Sequence, residues 1–322
     1  FRSKNTRSLA DTGMVRTALP LDLLRCPETG DKLVAAEGGL VADSGRVYRI
    51  TPTGIPLFAE QPASEDARRQ MAHYDQIAES YQANLGYPHT RAYFGYLDDA
   101  LLATIGPMPL GNVVEACCGS GEAFKLLSGR YDRGIGIDIS LAMLGRAQVA
   151  NADAPVTFIQ GDVTRLPLAD GSLDLVMTLG GVHHVNDRIA LFKEIARVLK
   201  PGGRFIYREP VNDFSLWRWL RKVIYRVSPM FDESTEHPLT STDTVQVLAK
   251  AGLVSVHWKT YGLLGFCLFM NSDVLIFNRL FRFVPGIAGL ARAAARFDDW
   301  ILRQPGLAFA GLQVIGVAER PR

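Results

Sequence analysis

From residue 111 onward, short apolar runs alternate with stretches in which apolar residues recur at helical spacing. Runs of strand length lie at 111–116, 133–138, 155–160, 172–179, 203–209, 254–259 and 312–318. Helical periodicity lies at 121–130, 140–151 and 187–200. Strands that alternate with helices are typical of parallel sheets with right-handed crossovers. The pattern therefore predicts an α/β fold with a doubly wound, seven-stranded, mostly parallel sheet.

The residues before this region follow a different pattern. Residues 1–20 are polar and mixed in charge, which predicts a flexible N-terminus without a signal peptide. Residues 21–60 carry short strand-like pieces separated by Gly and Pro, and they are predicted to form a small β module.

Residues 61–106 are predicted to form a helical lid and linker before the main domain at 107–322. Apolar positions recur along 67–84 at helical spacing and include Tyr74 and Tyr81. Two interpretations stay open: a helix whose aromatic rings pack in the core, and a lid that closes Tyr74 and Tyr81 over a ligand.

Composition narrows the class of protein. Of the 322 residues, 48% are hydrophobic and 21% are charged, and the formal net charge is +2. These values are ordinary for a globular protein and give no global basic field for nucleic acid. The four cysteines form no spaced framework, which predicts free thiols and a cytoplasmic location. No window offers about 18 uncharged apolar residues, so we expect no transmembrane helix.

A glycine turn at 112–122 joins the first main strand to a helix, in Asn-Val-Val-Glu-Ala-Cys-Cys-Gly-Ser-Gly-Glu. Backbone N–H groups at such a junction face a ligand. Phe124 stands where a dinucleotide fingerprint has its third glycine, which argues against a nicotinamide or flavin cofactor.

Three acids extend this turn into a binding site. Asp138 ends the second strand beside the turn, where a carboxylate can accept hydrogen bonds from both hydroxyls of a ribose. The alternative role for Asp138 is to cap the following helix. Asp162 follows the third strand and can accept from the exocyclic amine of adenine, with Val163 beside it. Glu115 precedes the turn and can orient it through backbone N–H groups.

Five motifs occur in the order found in class I S-adenosylmethionine-dependent methyltransferases, which the chain resembles over about residues 70–260. They are Val114-Glu-Ala-Cys-Cys-Gly-Ser-Gly121, Gly136-Ile-Asp138-Ile-Ser140, Gly161-Asp162-Val163 with Leu166-Pro-Leu168, Ser172-Leu-Asp174-Leu-Val176, and Arg197-Val-Leu-Lys-Pro-Gly-Gly-Arg204. The small-molecule branch, with the ubiquinone/menaquinone-type enzymes, is the most similar. Cys117 departs from the family, which usually has glycine there.

The resemblance implies a Rossmann-like fold and S-adenosylmethionine as cofactor, with S-adenosylhomocysteine as product. By this resemblance the methionine part contacts the glycine turn, the ribose contacts Asp138, and the adenine contacts Asp162 and Val163. The cofactor-binding residues expected in this way are Tyr74, Tyr81, Glu115, Ala116, Cys117, Gly119, Gly121, Asp138, Ile139, Met143, Gly161, Asp162, Val163, Leu179 and Gly180.

The small β module at 21–60 resembles the zinc-ribbon-like modules that accompany some methyltransferases. Those modules carry paired cysteines, whereas here Cys26 is alone and Thr29 takes the place of its partner. One cysteine cannot supply a four-ligand zinc site. We therefore expect a degenerate module and no metal.

Two histidines, His183 and His184, follow the fourth strand, where an acceptor would approach. Histidine is the side chain most readily poised to take a proton near neutral pH. The alternative is that these rings pack the strand end and hydrogen-bond the backbone. Adjacent side chains point in different directions, so we expect at most one of the two rings to reach the acceptor. We favour His183 as this base. Glu209 at the end of the fifth strand and His237 are further catalytic candidates.

Two segments exceed a minimal fold of this type, at 211–238 and 262–306. The first is aromatic and basic, and the second is rich in Leu, Phe, Ile and Ala. Insertions at this edge of the sheet can cap an acceptor pocket. They favour a small, hydrophobic acceptor, methylated on O, C or N, and peripheral contact with a membrane. The alternatives are cap helices that only pack together, an RNA methyltransferase, and a protein that keeps the fold for cofactor binding or another reaction.

Overall fold

The computed structural model describes residues 19–60, 64–65, 67–72, 74–75, 86–227, 237–270 and 276–322. The predicted small β module is present as an antiparallel sheet of β1 (Leu33–Ala36), β2 (Gly39–Ala42) and β3 (Val47–Arg49). Its apolar face shares a core with the main domain, and Leu24 and Leu168 form a bridge between the two. Cys26 lies 3.0 Å from the Tyr48 hydroxyl. Within the ranges given above, no three His, Cys, Asp or Glu side chains are placed to hold a metal ion.

Alternating strands and helices build the main domain. Its elements are α1 (Pro88–Ile105), β4 (Leu110–Ala116), α2 (Glu122–Leu126), β5 (Tyr131–Asp138), α3 (Leu141–Ala150), β6 (Val156–Gln160), β7 (Leu173–Leu179), a 3₁₀ turn (Val182–His184), α4 (Arg188–Val198), β8 (Leu199–Pro210), α5 (Ser215–Val227), α6 (Ser241–Lys250), β9 (Val254–Tyr261), α7 (Leu264–Met270), a 3₁₀ segment (Ile276–Phe283), α8 (Ile287–Leu302) and β10 (Gln313–Glu319).

The main sheet has the order β6-β5-β4-β7-β8-β10-β9. The five strands from β6 to β8 are parallel, and β10 pairs antiparallel with both β8 and β9. This confirms the predicted seven-stranded, mostly parallel sheet. The strand order reverses between β4 and β7, and in open sheets of this kind ligands bind in the crevice outside the carboxyl ends at that point.

Two predicted boundaries were wrong. The helix predicted at 121–130 ends at Leu126, since the chain must turn back to enter β5. The helix predicted to reach residue 200 ends at Val198, and the strand predicted to begin at residue 203 already begins at Leu199. Leu199 already pairs with Leu173 there, and a register shift with Gly202 at φ +80° accommodates the irregular backbone.

Helices α7 and α8 form a cap that packs on α1, and one buried carboxylate of α8 hydrogen-bonds to both α1 and the start of α7. None of the described helices is long and apolar enough to cross a bilayer. Asp298 on α8 is 1% exposed and accepts the Tyr93 hydroxyl of α1 at 2.6 Å. It also accepts the backbone N–H groups of Leu263 (2.9 Å), Gly265 (3.0 Å) and Phe266 (3.0 Å), and so caps the start of α7. One side chain thus holds three helices.

Replacing Asp298 with alanine should lower the free energy of unfolding by about 3 kcal/mol, because it leaves one hydroxyl and three N–H groups without their buried acceptor. Urea unfolding would measure the change. Asp99→Ala, at an exposed position of α1, is the matched control and should have little effect. Equal stability of the two variants would contradict this role of Asp298.

Candidate active site

A cavity of about 570 Å³ opens at the carboxyl ends of β4, β5, β6 and β7. Most of the site residues expected from the sequence line it: Tyr74, Glu115, Cys117, Gly119, Asp138, Ile139, Met143, Gly161, Asp162, Val163, Leu179, Gly180 and His184. The parallel register explains this gathering, because it sets the ends of neighbouring strands side by side, as with Asp138 opposite Gln160.

Other expected residues lie next to the cavity rather than in its wall. Ala116 is buried within β4, and Gly121 is the N-cap residue of α2. Glu209 is fully buried behind the wall, whereas the partly exposed ring of His183 lies directly beside the wall residue Gly180. The side chain of His237 faces a second groove with Arg188 and Asp243, and Tyr81 lies outside the described residues.

The glycine turn after β4 uses left-handed backbone at Cys117 (φ +53°), Gly119 (+49°) and Gly121 (+73°). This conformation costs a cysteine about 1 kcal/mol relative to glycine, so a glycine would be favoured at position 117, the first left-handed residue of the turn. A Cβ at Gly181 would lie 2.4 Å from the Cβ of Cys117. Glycine at 181 is therefore what allows the turns after β4 and β7 to meet.

Glu115 presents an unsatisfied carboxylate oxygen at the base of the cavity. Its side chain is 1% exposed, and Oε1 accepts the backbone N–H of Ala123 at 3.2 Å. Oε2 has no hydrogen-bond partner. Burial raises the pKa of Glu115 well above its ordinary value. A ligand that brings a cationic donor, such as the amino group of an amino acid, would satisfy this oxygen and favour the charged carboxylate.

Asp138 anchors the glycine turn to the end of β5. Its Oδ2 accepts the Gly119 N–H at 2.8 Å, and its Oδ1 accepts the Ser140 N–H at 2.9 Å. Burial raises the pKa of Asp138, against the lowering effect of these backbone hydrogen bonds. The N-cap of α3 is Ser140, whose Oγ accepts the Met143 N–H at 3.2 Å, so Asp138 is not the helix cap. Its carboxylate faces the cavity with its orientation already set.

Asp162 lies across the cavity edge from Asp138. Its Oδ1 accepts both the backbone N–H of Thr164 at 2.9 Å and the Thr164 hydroxyl at 2.7 Å. The Gly161 N–H donates to the Asp138 carbonyl at 3.0 Å, which fixes the loop after β6 against the end of β5. The two carboxylates are thus held by separate backbone turns on one rim.

A helical segment that includes residues 67–72 and 74–75 lies against the mouth of the cavity. The Tyr74 hydroxyl lies 2.5 Å from His184 Nε2. Asp75 accepts the Ala142 N–H at 3.3 Å and also accepts the Ser140 hydroxyl. This segment therefore contacts both sides of the cavity mouth, at the wall residue His184 and at the start of α3 between the wall residues Ile139 and Met143, which agrees with the lid interpretation of Tyr74.

Behind the wall, Glu209 organises the loop after β7. Its carboxylate is fully buried, and Oε1 accepts the N–H groups of Gly181 (2.9 Å) and Val182 (3.0 Å). Oε2 lies 2.8 Å from Nδ1 of His183. Burial alone would raise the pKa of Glu209, but the hydrogen bond to His183, together with those from the two N–H groups, lowers it below its ordinary value. Glu209 is therefore an ionised acceptor that fixes the His183 ring.

The two histidines differ in their surroundings. The ring centroids of His183 and His184 lie 3.8 Å apart, so they pack against each other. His184 lines the cavity beside Tyr74, whereas His183 contacts Glu209. The backbone N–H of His237 donates to the His183 carbonyl at 2.8 Å. His237 therefore holds the histidine turn from the side away from the cavity.

The sequence analysis missed several residues of the cavity wall: Ser64, Ala67, Gln70, Cys118, Ser120, Glu122, Thr164, Arg165, Gly181, Val185, Asn186, Asp187 and Ala190. Some had a usable signal. Ala67 and Gln70 precede Tyr74 by seven and four residues, which places all three on one face of a helix. Residues 164–165 and 185–187 directly follow predicted site residues.

Comparison with known proteins identifies the type of domain. A family model described as "Methyltransferase domain" matches residues 114–207. An uncharacterized methyltransferase of Synechocystis is 30% identical over 162 residues, which cover 50% of this chain and 74% of that protein. The demethylmenaquinone methyltransferase of Lactococcus lactis is 28% identical over 173 residues, which cover 47% of this chain and 69% of that protein.

A solved structure has the same fold. Phosphoethanolamine N-methyltransferase 2 of Haemonchus contortus, in complex with S-adenosyl-L-methionine, superposes with a TM-score of 0.54 at 16% identity. The match covers 81% of this chain and 61% of that one. At this identity the likeness concerns the fold alone.

Replacing Asp138 with alanine should weaken binding of S-adenosylhomocysteine by roughly 100-fold. The variant would lose the carboxylate expected to accept hydrogen bonds from the two ribose hydroxyls, and with it the hydrogen bond that anchors the Gly119 N–H of the glycine turn. Isothermal titration calorimetry would measure the affinity. Asp132→Ala, at the exposed opposite end of β5, is the matched control and should bind as the wild type does. Unchanged affinity in Asp138→Ala would remove Asp138 from the binding site.

Proposed function

We propose, on the premise that this chain belongs to the class I S-adenosylmethionine-dependent methyltransferases, that it methylates an O, C or N atom of a small, lipophilic acceptor. The chain is an enzyme of this type, and its cofactor is S-adenosylmethionine. Lipids, quinones and natural-product intermediates are acceptors of the proposed class.

The observation that carries this proposal is the continuous cavity that runs from Glu115 and Asp138 to His184 and Ala190. Its volume of about 570 Å³ lies within the range typical of small-molecule sites. Leu179, Val185 and Ala190 contribute apolar wall at the end near the histidines. The Lactococcus lactis relative is named for demethylmenaquinone, and an acceptor of that kind suits a partly apolar wall.

The residues present suit each part of the cofactor. The unsatisfied Oε2 of Glu115 would accept from the amino group of the methionine part. The pre-oriented carboxylate of Asp138 would accept from the ribose hydroxyls, and Asp162 with Val163 would contact the adenine. When bound, the cofactor supplies an activated methyl group for direct displacement. The role of the protein is then alignment of the acceptor and exclusion of water.

His183 is the proposed general base, and Glu209 is its positioning residue. An ionised carboxylate 2.8 Å from Nδ1 holds the proton on that nitrogen, which leaves the lone pair on Nε2 to accept a proton from the acceptor. Glu209 would keep its negative charge throughout the reaction, because the proton on Nδ1 of His183 is not transferred to it. His184, in contact with Tyr74, would shape the acceptor wall.

A lipophilic acceptor partitions into lipid bilayers, so the proposal includes a cytoplasmic protein that works in peripheral contact with a membrane. RNA is the second acceptor class. The cavity favours a small molecule over RNA, because the lid segment contacts the wall on both sides of the mouth.

Incubation with cofactor labelled on its methyl group, together with either a lipid extract or total RNA, tests the acceptor class. We expect the label to enter the organic phase and not the RNA, since a partly apolar cavity excludes a polynucleotide. Asp138→Ala is the control for transfer that depends on the site. Label in RNA alone would overturn the proposed acceptor class and leave the methyltransferase assignment intact.

Replacing His183 with alanine should lower turnover by roughly 100-fold or more, the usual contribution of a positioned general base. Steady-state kinetics would measure this with the acceptor found above. His257→Ala, on β9 and outside the cavity lining, is the matched control and should retain the wild-type turnover. Unchanged turnover in His183→Ala, with cofactor affinity retained, would exclude His183 as the base.

A further inference from the structure

The outer side of the helical cap exposes large apolar side chains. We define the cap face as the exposed side chains of α5, α7, the 3₁₀ segment and α8. Six of its members are 54% to 70% exposed: Trp219, Leu264, Leu280, Phe283, Phe297 and Trp300. Large apolar side chains exposed together on neighbouring elements mark an interaction site.

The elements that carry the cap face adjoin one another. Trp217 on α5 is buried and donates its indole N–H to the Ala310 carbonyl at 2.6 Å, beyond the end of α8. Its side chain shares an apolar cluster with Leu263 at the start of α7 and with Leu302 of α8. The exposed rings therefore belong to one packed layer rather than to separate loops.

Helix α8 shows the two sides of this layer most clearly. Ile287, Ala291, Ala295 and Leu302 recur at helical spacing and are buried. Its opposite side presents Leu290, Phe297 and Trp300, and the rings of Phe297 and Trp300 stack at 5.7 Å. Arg292 and Arg296 are exposed along the border of this apolar stripe. An apolar stripe bordered by arginines is typical of helices that lie in the membrane interface.

The charge of the cap face is one-sided. Residues 215–227 and 276–297 contain eight Lys and Arg residues and no Asp or Glu, although the whole chain has a net charge of only +2. The Arg282 guanidinium lies 4.7 Å from the ring centroid of Phe283, so cation and ring point to the same region. This combination complements a surface that is anionic outside and apolar just beneath, as the face of an anionic bilayer is.

Two other occupants fit less well. In a symmetric dimer the same patch faces itself, so the arginines of one copy would approach those of the other. Single-stranded RNA binds by stacking bases on aromatic rings in a basic groove. Here the cap face includes the exposed aliphatic side chains Leu264, Leu280 and Leu290, which offer no ring to a base.

We propose that the cap face docks this enzyme on the anionic surface of a lipid bilayer. The aromatic side chains enter the headgroup region, and the arginines contact lipid phosphates. The inference rests on the proposed function only for the supply of a lipophilic acceptor from the bilayer. Docking itself needs no turnover and is measured without an acceptor.

Vesicle flotation tests the proposal, with vesicles of phosphatidylcholine alone and vesicles that also contain phosphatidylglycerol. We expect the full chain to float with the anionic vesicles, and high salt to release it because salt screens surface charge. Arg292→Gln/Arg296→Gln should weaken binding by roughly five-fold for each charge. Phe297→Ser/Trp300→Ser should reduce binding at all salt concentrations, since it removes the inserted rings.

Matched controls separate docking from general effects of charge and hydrophobicity. Lys32→Gln/Lys193→Gln removes two exposed positive charges far from the cap face. Met108→Ser/Val149→Ser removes two side chains that are 70% and 71% exposed elsewhere. Both control variants should float as the wild type does. Binding of S-adenosylhomocysteine, measured on every variant, should stay at the wild-type value and shows that the fold is retained.

Four outcomes would overturn the proposal: no binding to anionic vesicles, equal binding by cap-face and control variants, a gel shift of RNA that competes with vesicles, or a dimer in size-exclusion chromatography that the cap-face variants dissociate. The proposed function fails separately, when the wild type binds neither S-adenosylmethionine nor S-adenosylhomocysteine. If the wild type binds neither compound but still floats with anionic vesicles, the proposed docking surface is retained.

Discussion

The parallel pairing of β4 with β5 on one side and β7 on the other is the constraint on which the site depends. Each of these strands ends at the same edge, so short loops bring the side chains after them into one crevice. The order of the strands reverses at this point, which leaves the crevice open for a ligand. Asp138 then connects two of the loops, because it holds the Gly119 N–H of the turn after β4 from its own place at the end of β5.

The neighbouring pair, β7 and β8, adds the second charged group of the site. Glu209 on β8 lies beside the loop that follows β7 and takes two of its N–H groups and the ring of His183. A buried carboxylate with three donors is well satisfied, which offsets the cost of removing its charge from water. The same geometry that orders the loop also orients the imidazole.

The strand-end acids could be predicted from the sequence because their positions depend on local pattern. Asp138 and Asp162 each follow an apolar run of strand length, and a parallel sheet gathers such ends. The pairing of His183 with Glu209 depends on β7 and β8 being neighbours, which no local pattern specifies. Val185, Asn186 and Ala190 reach the cavity through the path of the 3₁₀ turn, which the sequence pattern did not reveal. The end of α4 at Val198 likewise depends on the pairing of Leu199 with Leu173 across the sheet.

The position of β10 between β8 and β9 has a consequence for how the chain folds. β9 pairs with β10 and lies at the edge of the sheet, although β10 is the last strand in the chain. Until residues 313–319 have left the ribosome, β8 lacks its outer partner and β9 has no strand to pair with. The sheet can therefore be completed only after β8, β9 and β10 have all been synthesised, and long-range closure of this kind slows folding. During synthesis an unpaired sheet edge is exposed, and deletion of residues 313–319 would remove two strands from the sheet rather than one, because β9 joins the sheet through β10.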